Sequence, residues 1–135
     1  MRYAPTESEL KSLDGMGGDD LLQYATTRMV ECEEVWSLGD DSGWLIREVG
    51  EESIISIWPY KQLAKESAVG ELSGSILLST SLEQFTFGVL KKCVDAELSI
   101  EVCKSPQHNG KIIPAKQLSE LLESMIESGE YFVEG

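Results

Sequence analysis

Three short runs of β-branched and aromatic residues follow one another in the middle of the chain. They span Val35–Leu38, Trp44–Arg47 and Ile54–Trp58, with turn-forming residues between them at Gly39–Gly43 and Gly50–Ser53. This pattern predicts an antiparallel meander of three strands. Pro59 has no N–H group to donate to a neighbouring strand, so we expect it to end the third strand.

The register of the meander follows from pairing Trp36 with Ile46 across the first turn. Leu38 then lies opposite Trp44, and Ile46 lies opposite Ile55 on the third strand. Because strand side chains alternate between the two faces, one face is predicted to be the core surface. It contains Trp36, Leu38, Trp44, Ile46, Ile55 and Ile57. The other contains Val35, Ser37, Leu45, Arg47, Ile54, Ser56 and Trp58, and a slip of one residue would exchange the faces of a strand.

Apolar residues at three- and four-residue spacings predict helices on both sides of the meander. A capping box at Thr6 and Glu9 starts a short helix that ends near Leu13, and Asp19–Asp20 start a second that reaches about Cys32. The segment 60–69 is compatible with a third helix, and 73–79 is extended or irregular. A second capping box, Thr80 to Glu83, starts a helix whose buried stripe is Leu82, Phe85, Val89, Cys93 and Ala96.

The last third of the chain predicts a hairpin followed by a helix. Leu98–Lys104 alternates apolar and polar residues, and Asn109–Gly110 predicts a reversal before Lys111–Ile113. Pro114 starts the last helix, which Gly129 ends. Its inner face contains Leu118, Leu121, Leu122 and Met125.

This order of elements predicts an α+β fold, with an antiparallel sheet made of the meander and the later hairpin, and with helices packed mainly on one face. Residues 1–135 are predicted to form a single domain. Within it, 1–18 would be an N-terminal helix with a flexible connector, and 130–135 a loose tail.

The charge of the chain limits its partners. It contains 24 Asp and Glu residues against 11 Lys and Arg, a formal net charge of −13. Such a field repels phosphate backbones and anionic lipids, so we expect neither nucleic acid nor membrane partners. No apolar run approaches the roughly 20 residues of a membrane span, and the N-terminus lacks the apolar segment of a secretory signal. We therefore expect a soluble cytoplasmic protein.

None of the residue groups associated with cofactors, metals or catalysis forms a complete motif. Gly15–Gly18 lacks the Gly-Lys-Ser/Thr ending of a phosphate-binding loop, and the three cysteines lack metal-ligand spacing. The acidic residues Asp40, Asp41, Glu48, Glu51 and Glu52 do not follow a calcium-loop pattern. His108, the single histidine, lies at a predicted hairpin tip without a neighbouring nucleophile. We expect no catalytic residue, no cofactor and no metal.

The end of the third strand is the candidate interaction surface predicted from the sequence. Tryptophan and tyrosine are enriched at interaction hot spots, and Trp58 and Tyr60 lie together there. Leu45, Ile54 and Arg47 share that predicted face. The alternative is that the following helix folds back and buries Trp58, because tryptophan is usually largely buried.

Five short segments of the chain form a recognisable set: Glu33–Leu38, Asp41–Trp44, Ile57–Tyr60 with Ala64, Ser81–Phe85 and Lys111–Leu122. Together they resemble a bacterial family, the domain of unknown function 2750. The family similarly joins a helix to a Glu-Val-Trp strand, a Gly-Trp strand and a Trp-Pro strand end. The resemblance covers about Leu21 to Leu122, and Pro114-Ala115 departs from the Ser-Pro helix entry expected there. It implies a small bacterial protein without an assigned activity, and therefore no catalytic residues.

These features together predict a small, acidic, non-enzymatic protein-interaction module, with self-association as one form of that interaction. One alternative is an immunity-type protein whose acidic surface neutralises a basic toxin. Another is a small-molecule-binding protein or enzyme with Glu33, Glu34, Arg47 or His108 in a cleft near Arg47.

Overall fold

A mixed sheet of seven strands forms the centre of the protein in a computed structural model that describes residues 7–13, 15–41, 43–105 and 110–128. The strands are β1 (Glu34–Asp40), β2 (Gly43–Trp44), β3 (Arg47–Val49), β4 (Glu52–Trp58), β5 (Ile76–Ser81), β6 (Ser99–Val102) and β7 (Lys111–Pro114). The structure confirms the predicted α+β class. Pro59 follows the last residue of β4, as predicted.

Helices precede, interrupt and follow these strands. They are α1 (Glu7–Leu13), α2 (Gly18–Cys32), α3 (Lys61–Glu66), α4 (Leu82–Gln84), α5 (Leu90–Asp95) and α6 (Ala115–Ser128). A 3₁₀ turn spans Gly70–Leu72, and a π-helical turn spans Phe85–Val89 between α4 and α5. The second helix starts one residue before the predicted Asp19–Asp20, with Gly17 as its N-cap. Thr6, Asn109 and the tail 130–135 lie outside the described residues.

The sheet is not purely antiparallel, which corrects the predicted topology. β5 lies at one edge, followed by β1, β4, β6 and β7, while β2 and β3 pair with β1 and β4 respectively. β4 and β6 are parallel, with Ile55 opposite Ile100. A parallel pair requires a long crossover, and the segment from α3 to α5 provides it. The other pairs, including the predicted β6–β7 hairpin, are antiparallel.

The predicted middle strand of the meander is broken in two. β1 and β4 pair directly, with Trp36 opposite Trp58. The chain between them therefore forms two short strands: β2 makes a hairpin with β1, and β3 makes a hairpin with β4. The predicted register of the second hairpin is confirmed by Arg47 opposite Ile54, which is in phase with Ile46 opposite Ile55.

The first hairpin is one residue out of the predicted register, because Trp44 lies opposite Gly39 and not Leu38. The slip exchanges the faces of β1. Trp36 and Leu38 therefore pack with Trp58, while Trp44 packs against the other core cluster, which contains Ile57. Ile46, predicted to be a core residue, is half-exposed.

Both faces of the sheet are covered, so the prediction of helices mainly on one face holds for the longer helices only. The larger core cluster joins Ile55, Ile57 and Ile100 of the sheet to apolar residues of α2, α5 and α6. The smaller cluster joins Leu38 and Trp58 to residues of α3 and the 3₁₀ turn. No helix among the described residues has the length and apolar character needed to cross a membrane.

The helix after β5 differs from its prediction in its cap and in its phase. Ser81 is the N-cap, and its Oγ accepts the amide of Gln84 at 3.1 Å, one residue later than the predicted Thr80. The π-helical turn adds a residue to the helical repeat. Leu90 consequently occupies the buried position predicted for Val89, and Ala96 is exposed.

Candidate functional site

The aromatic residues predicted to form an interaction surface are core residues. Trp58, Tyr60 and Ile54 expose 0%, 1% and 0% of their surfaces. The indole Nε1–H of Trp58 donates to the carbonyl of Lys104 at 2.7 Å, so the polar end of the ring is also satisfied. α3 folds back over the end of β4 and covers Trp58 and Tyr60, so these two side chains and the buried Ile54 do not form an exposed surface.

The remaining two predicted residues have structural partners. Leu45 is half-buried against the smaller core cluster, and its amide donates to the carbonyl of Leu38 at 2.9 Å. Arg47 Nη2 forms an ion pair with Glu101 Oε1, and Glu101 is buried. Glu101 also accepts the hydroxyl of Ser56 at 3.3 Å and the amide of Gly110 at 3.0 Å. This polar cluster links β3, β4, β6 and the start of β7.

Arg47 does not line any of three clefts that described residues form. The predicted cleft near Arg47 therefore stays a prediction. One cleft of about 330 Å³ lies along α2 at Tyr24 and Arg28. The other two, of about 300 and 720 Å³, adjoin each other because Glu83, Gln84 and Phe87 line both.

The cysteines and acidic residues do not form a reactive or metal-binding group within the described residues. All three thiols are buried, and burial raises the pKa of the Cys103 thiol to about 12 and also raises the pKa of Cys93. A neutral buried thiol is a poor nucleophile. The described residues contain no group of three or more His, Cys, Asp or Glu that could hold a metal ion. His108 lies outside them.

The strand β5 is an edge strand, since it pairs with β1 and with no other described strand. The amide of Leu82 donates to the carbonyl of Glu33 at 2.9 Å, and this bond continues the ladder between β5 and β1 by one residue pair. Hydrogen-bonded and non-hydrogen-bonded pairs alternate in antiparallel strands. The residues bonded inward to β1 are therefore Ile76, Leu78 and Thr80. Leu77 and Ser79 direct their N–H and C=O groups to the outer edge.

Apolar side chains are exposed beside this edge. Ile76 exposes 48% and Phe87 exposes 49% of its surface. The cleft of about 720 Å³ runs from Thr80, near the end of β5, to Phe87 and Gly88 on the π-helical turn. We call the outer edge of β5 together with Ile76 and the two adjoining clefts the β5 edge surface. The uncharged run 76–81 is visible in the sequence, but no sequence pattern there indicates an open sheet edge.

A protein-family model confirms the family resemblance. The model described as "Protein of unknown function (DUF2750)" matches residues 22–122, about three quarters of the 135-residue chain. Neither a curated protein nor a solved structure matches the chain. The matched region contains the whole sheet. It also contains every residue that lines the two clefts of the β5 edge surface except Ile126. The protein therefore belongs to the DUF2750 family, as its tryptophan-containing segments predicted.

Proposed function

We propose that this protein is a non-enzymatic protein-interaction module and that the β5 edge surface is its binding site. The observation that supports this most directly is the contrast between β5 and another edge strand, β7. β7 contains Lys111 and Pro114, and charged residues and proline are the means by which proteins prevent edge-to-edge pairing. β5, with the sequence Ile-Leu-Leu-Ser-Thr-Ser, contains neither. Such an edge is a template for a strand from another chain.

A proline at the centre of the outer edge tests this proposal. Ser79→Pro removes an N–H group that points outward, so it blocks strand addition and leaves the hydrogen bonds to β1 in place. Ser79→Ala is the matched control, because it removes the same hydroxyl and keeps the amide. Far-UV circular dichroism and thermal unfolding verify that both variants are folded.

Two measurements then compare the variants with the wild-type chain. Light scattering after size exclusion measures self-association, and quantitative affinity capture from cells that naturally express the protein measures other partners. We expect Ser79→Pro to abolish the association that Ser79→Ala retains. Association that persists unchanged in a folded Ser79→Pro variant would refute the β5 edge as the binding site.

The exposed isoleucines provide a second matched pair. Ile76 on β5 and Ile46 between β2 and β3 expose 48% and 50% of their surfaces. Because burial of an exposed isoleucine stabilises a complex, Ile76→Thr should weaken association, whereas Ile46→Thr should leave it unchanged. Equal effects of the two substitutions would indicate a general loss of surface hydrophobicity.

An immunity-type function, in which this protein covers a basic toxin, is a narrower form of the same proposal. The net charge of −13 supports a basic partner of that kind. A toxin gene adjacent to the coding sequence, and loss of protection in cells expressing Ser79→Pro, are the expected observations.

A further inference from the structure

The protein surface beside β5 is apolar at one end of the strand and acidic at the other. The exposed Ile76 is its first residue. Beyond its last residue, Ser81, lies the cleft of about 300 Å³, which Glu33 and Glu83 line. Neither lysine nor arginine lines this cleft, and Lys92 lines the adjoining cleft of about 720 Å³. Its apolar lining residues are Leu82, Phe87 and Ile126.

The backbone segments that bear the two carboxylates are fixed in position. Glu33 ends α2 in the left-handed conformation with φ 56°, and its carbonyl accepts the amide of Leu82. Ser81 Oγ accepts the amide of Gln84, which fixes the helical turn that contains Glu83. A helix N-terminus is equivalent to roughly half a positive charge, which leaves about −1.5 from the two carboxylates. The cleft therefore favours a cation.

We propose that the β5 edge surface binds an extended segment of a basic protein, added antiparallel to β5, with a lysine or arginine in the acidic cleft. This inference rests on the proposed function. A second copy of the chain is disfavoured as the occupant because each copy has a net charge of −13. A basic segment is attracted by the same charge, and its affinity falls as salt screens the attraction.

The alternation of side chains gives the pattern of the bound segment. Thr80 and Leu78 lie opposite Val35 and Ser37 and share their sheet face, and Ile76 lies on the same face two residues before Leu78. In an antiparallel segment, the residue opposite Thr80 comes first and lies nearest the acidic cleft. The residues two and four positions later lie opposite Leu78 and Ile76. The predicted pattern is lysine or arginine, any residue, apolar, any residue, apolar.

The stem of a lysine or arginine fits the walls of the acidic cleft. Long basic side chains bury their methylene groups against apolar surface and leave the charged group near carboxylates. Phe87 provides an aromatic face for that purpose at the point where the two clefts join.

Two fluorescein-labelled synthetic peptides test the proposal against the full-length protein. One has the core Lys-Thr-Val-Thr-Val, and the other has glutamate in place of lysine. Fluorescence anisotropy should show that the lysine peptide binds and that its affinity falls as salt rises. The substitution of both Glu33→Gln and Glu83→Gln should weaken the lysine peptide about fivefold, the effect of two solvent-exposed ion pairs.

The matched control is Glu51→Gln with Glu52→Gln, which changes the net charge equally at the exposed β3–β4 turn. We expect it to change affinity by less than about twofold. An equal effect in both double variants would overturn the acidic cleft as the recognition site.

The edge variants separate failure of this inference from failure of the proposed function. Ser79→Pro should abolish peptide binding while Ser79→Ala retains it. If the edge variant abolishes binding but both peptides bind equally, the basic specificity is refuted and the interaction surface stands. Peptide binding that is unchanged in Ser79→Pro refutes both. If neither peptide binds at about 1 mM, or if light scattering shows dimers that Ser79→Pro dissociates, a basic segment is not the occupant.

Discussion

Replacing Arg47 with methionine removes one half of the ion pair in the polar cluster and leaves the carboxylate of Glu101 buried. The loss of stability depends on how exposed the two side chains are, and the Arg47 side chain exposes 12% of its surface and that of Glu101 2%. A solvent-exposed pair contributes about 0–1 kcal/mol. Breaking a buried pair costs about 3–5 kcal/mol, because the remaining charge has no compensation. Methionine preserves most of the apolar stem, so the change isolates the charge.

The other partners of Glu101 place the expected loss near the lower end of that range. The hydroxyl of Ser56 and the amide of Gly110 still donate to the carboxylate after Arg47 is removed. We therefore expect Arg47→Met to lower the free energy of unfolding by about 3 kcal/mol, a large part of the roughly 5–15 kcal/mol of a typical domain. Adding Glu101→Gln removes the buried charge and keeps an acceptor for Gly110. The double variant should regain about 1–2 kcal/mol relative to Arg47→Met alone.

Urea unfolding at neutral pH, followed by tryptophan fluorescence and circular dichroism, measures these differences. The control is Arg28→Met, which breaks the more exposed pair with Glu31 and should cost less than about 1 kcal/mol. An unchanged m-value verifies that the variants unfold from the same compact state. If Arg47→Met and Arg28→Met lose similar stability, or if Glu101→Gln adds to the loss in the double variant, the burial argument is wrong.

Three further changes have effects that the structure predicts. Thr86→Val should raise the free energy of unfolding by about 1 kcal/mol, because the buried hydroxyl has no partner among the described residues; a loss in urea midpoint would contradict this. Gly39→Ala should lower it by about 1–3 kcal/mol, since the added Cβ would collide with the carbonyl of Gly43. Hydrogen bonds from Lys91 and Ser119 lower the pKa of Glu123 in the folded state. The resulting stabilisation is present above the unfolded pKa and disappears as the pH falls through the folded value. Lys91→Met should therefore be less stable than wild type at neutral pH and equal to it in strong acid, and a carboxyl NMR titration should show a higher Glu123 pKa in the variant.

Features that depend on local residues could be predicted from the sequence. Pro59 ends β4, the turn at Gly50 sets the β3–β4 register, and Leu118 and Leu122 lie on the inner face of α6. Pairings between distant segments were not predictable in the same way. β1 pairs with β5 and β4 pairs in parallel with β6, and no short-range pattern specifies which distant strands meet. The one-residue error at Trp44 has the same origin, because direct pairing of β1 with β4 changes the geometry of the first turn.

The candidate site was difficult to predict for a related reason. Tryptophan is common both at interaction hot spots and in protein cores, and only the packing of α3 shows that Trp58 is a core residue. Glu101 lies at a polar position of an alternating strand, which predicts exposure, but Arg47 from a distant strand allows its burial. The open edge of β5 is a property of the sheet order. The lack of charged residues and proline in Ile76–Ser81 indicates a binding edge only when β5 is known to be an edge strand.

The π-helical turn explains the difference in phase from the predicted helix, and it lies beside the proposed binding surface. A helix of uniform 3.6-residue period that buries Phe85 also buries Val89, as predicted. The wider turn instead returns the chain to the core at Leu90, five residues after Phe85, and leaves Val89 half-buried. Such turns occur frequently at functional sites, and departures from local sequence rules are expected there. The π-helical turn is therefore the physical cause of the error in phase at Val89, and it contains Phe87, an exposed aromatic residue that lines both clefts beside the open edge of β5.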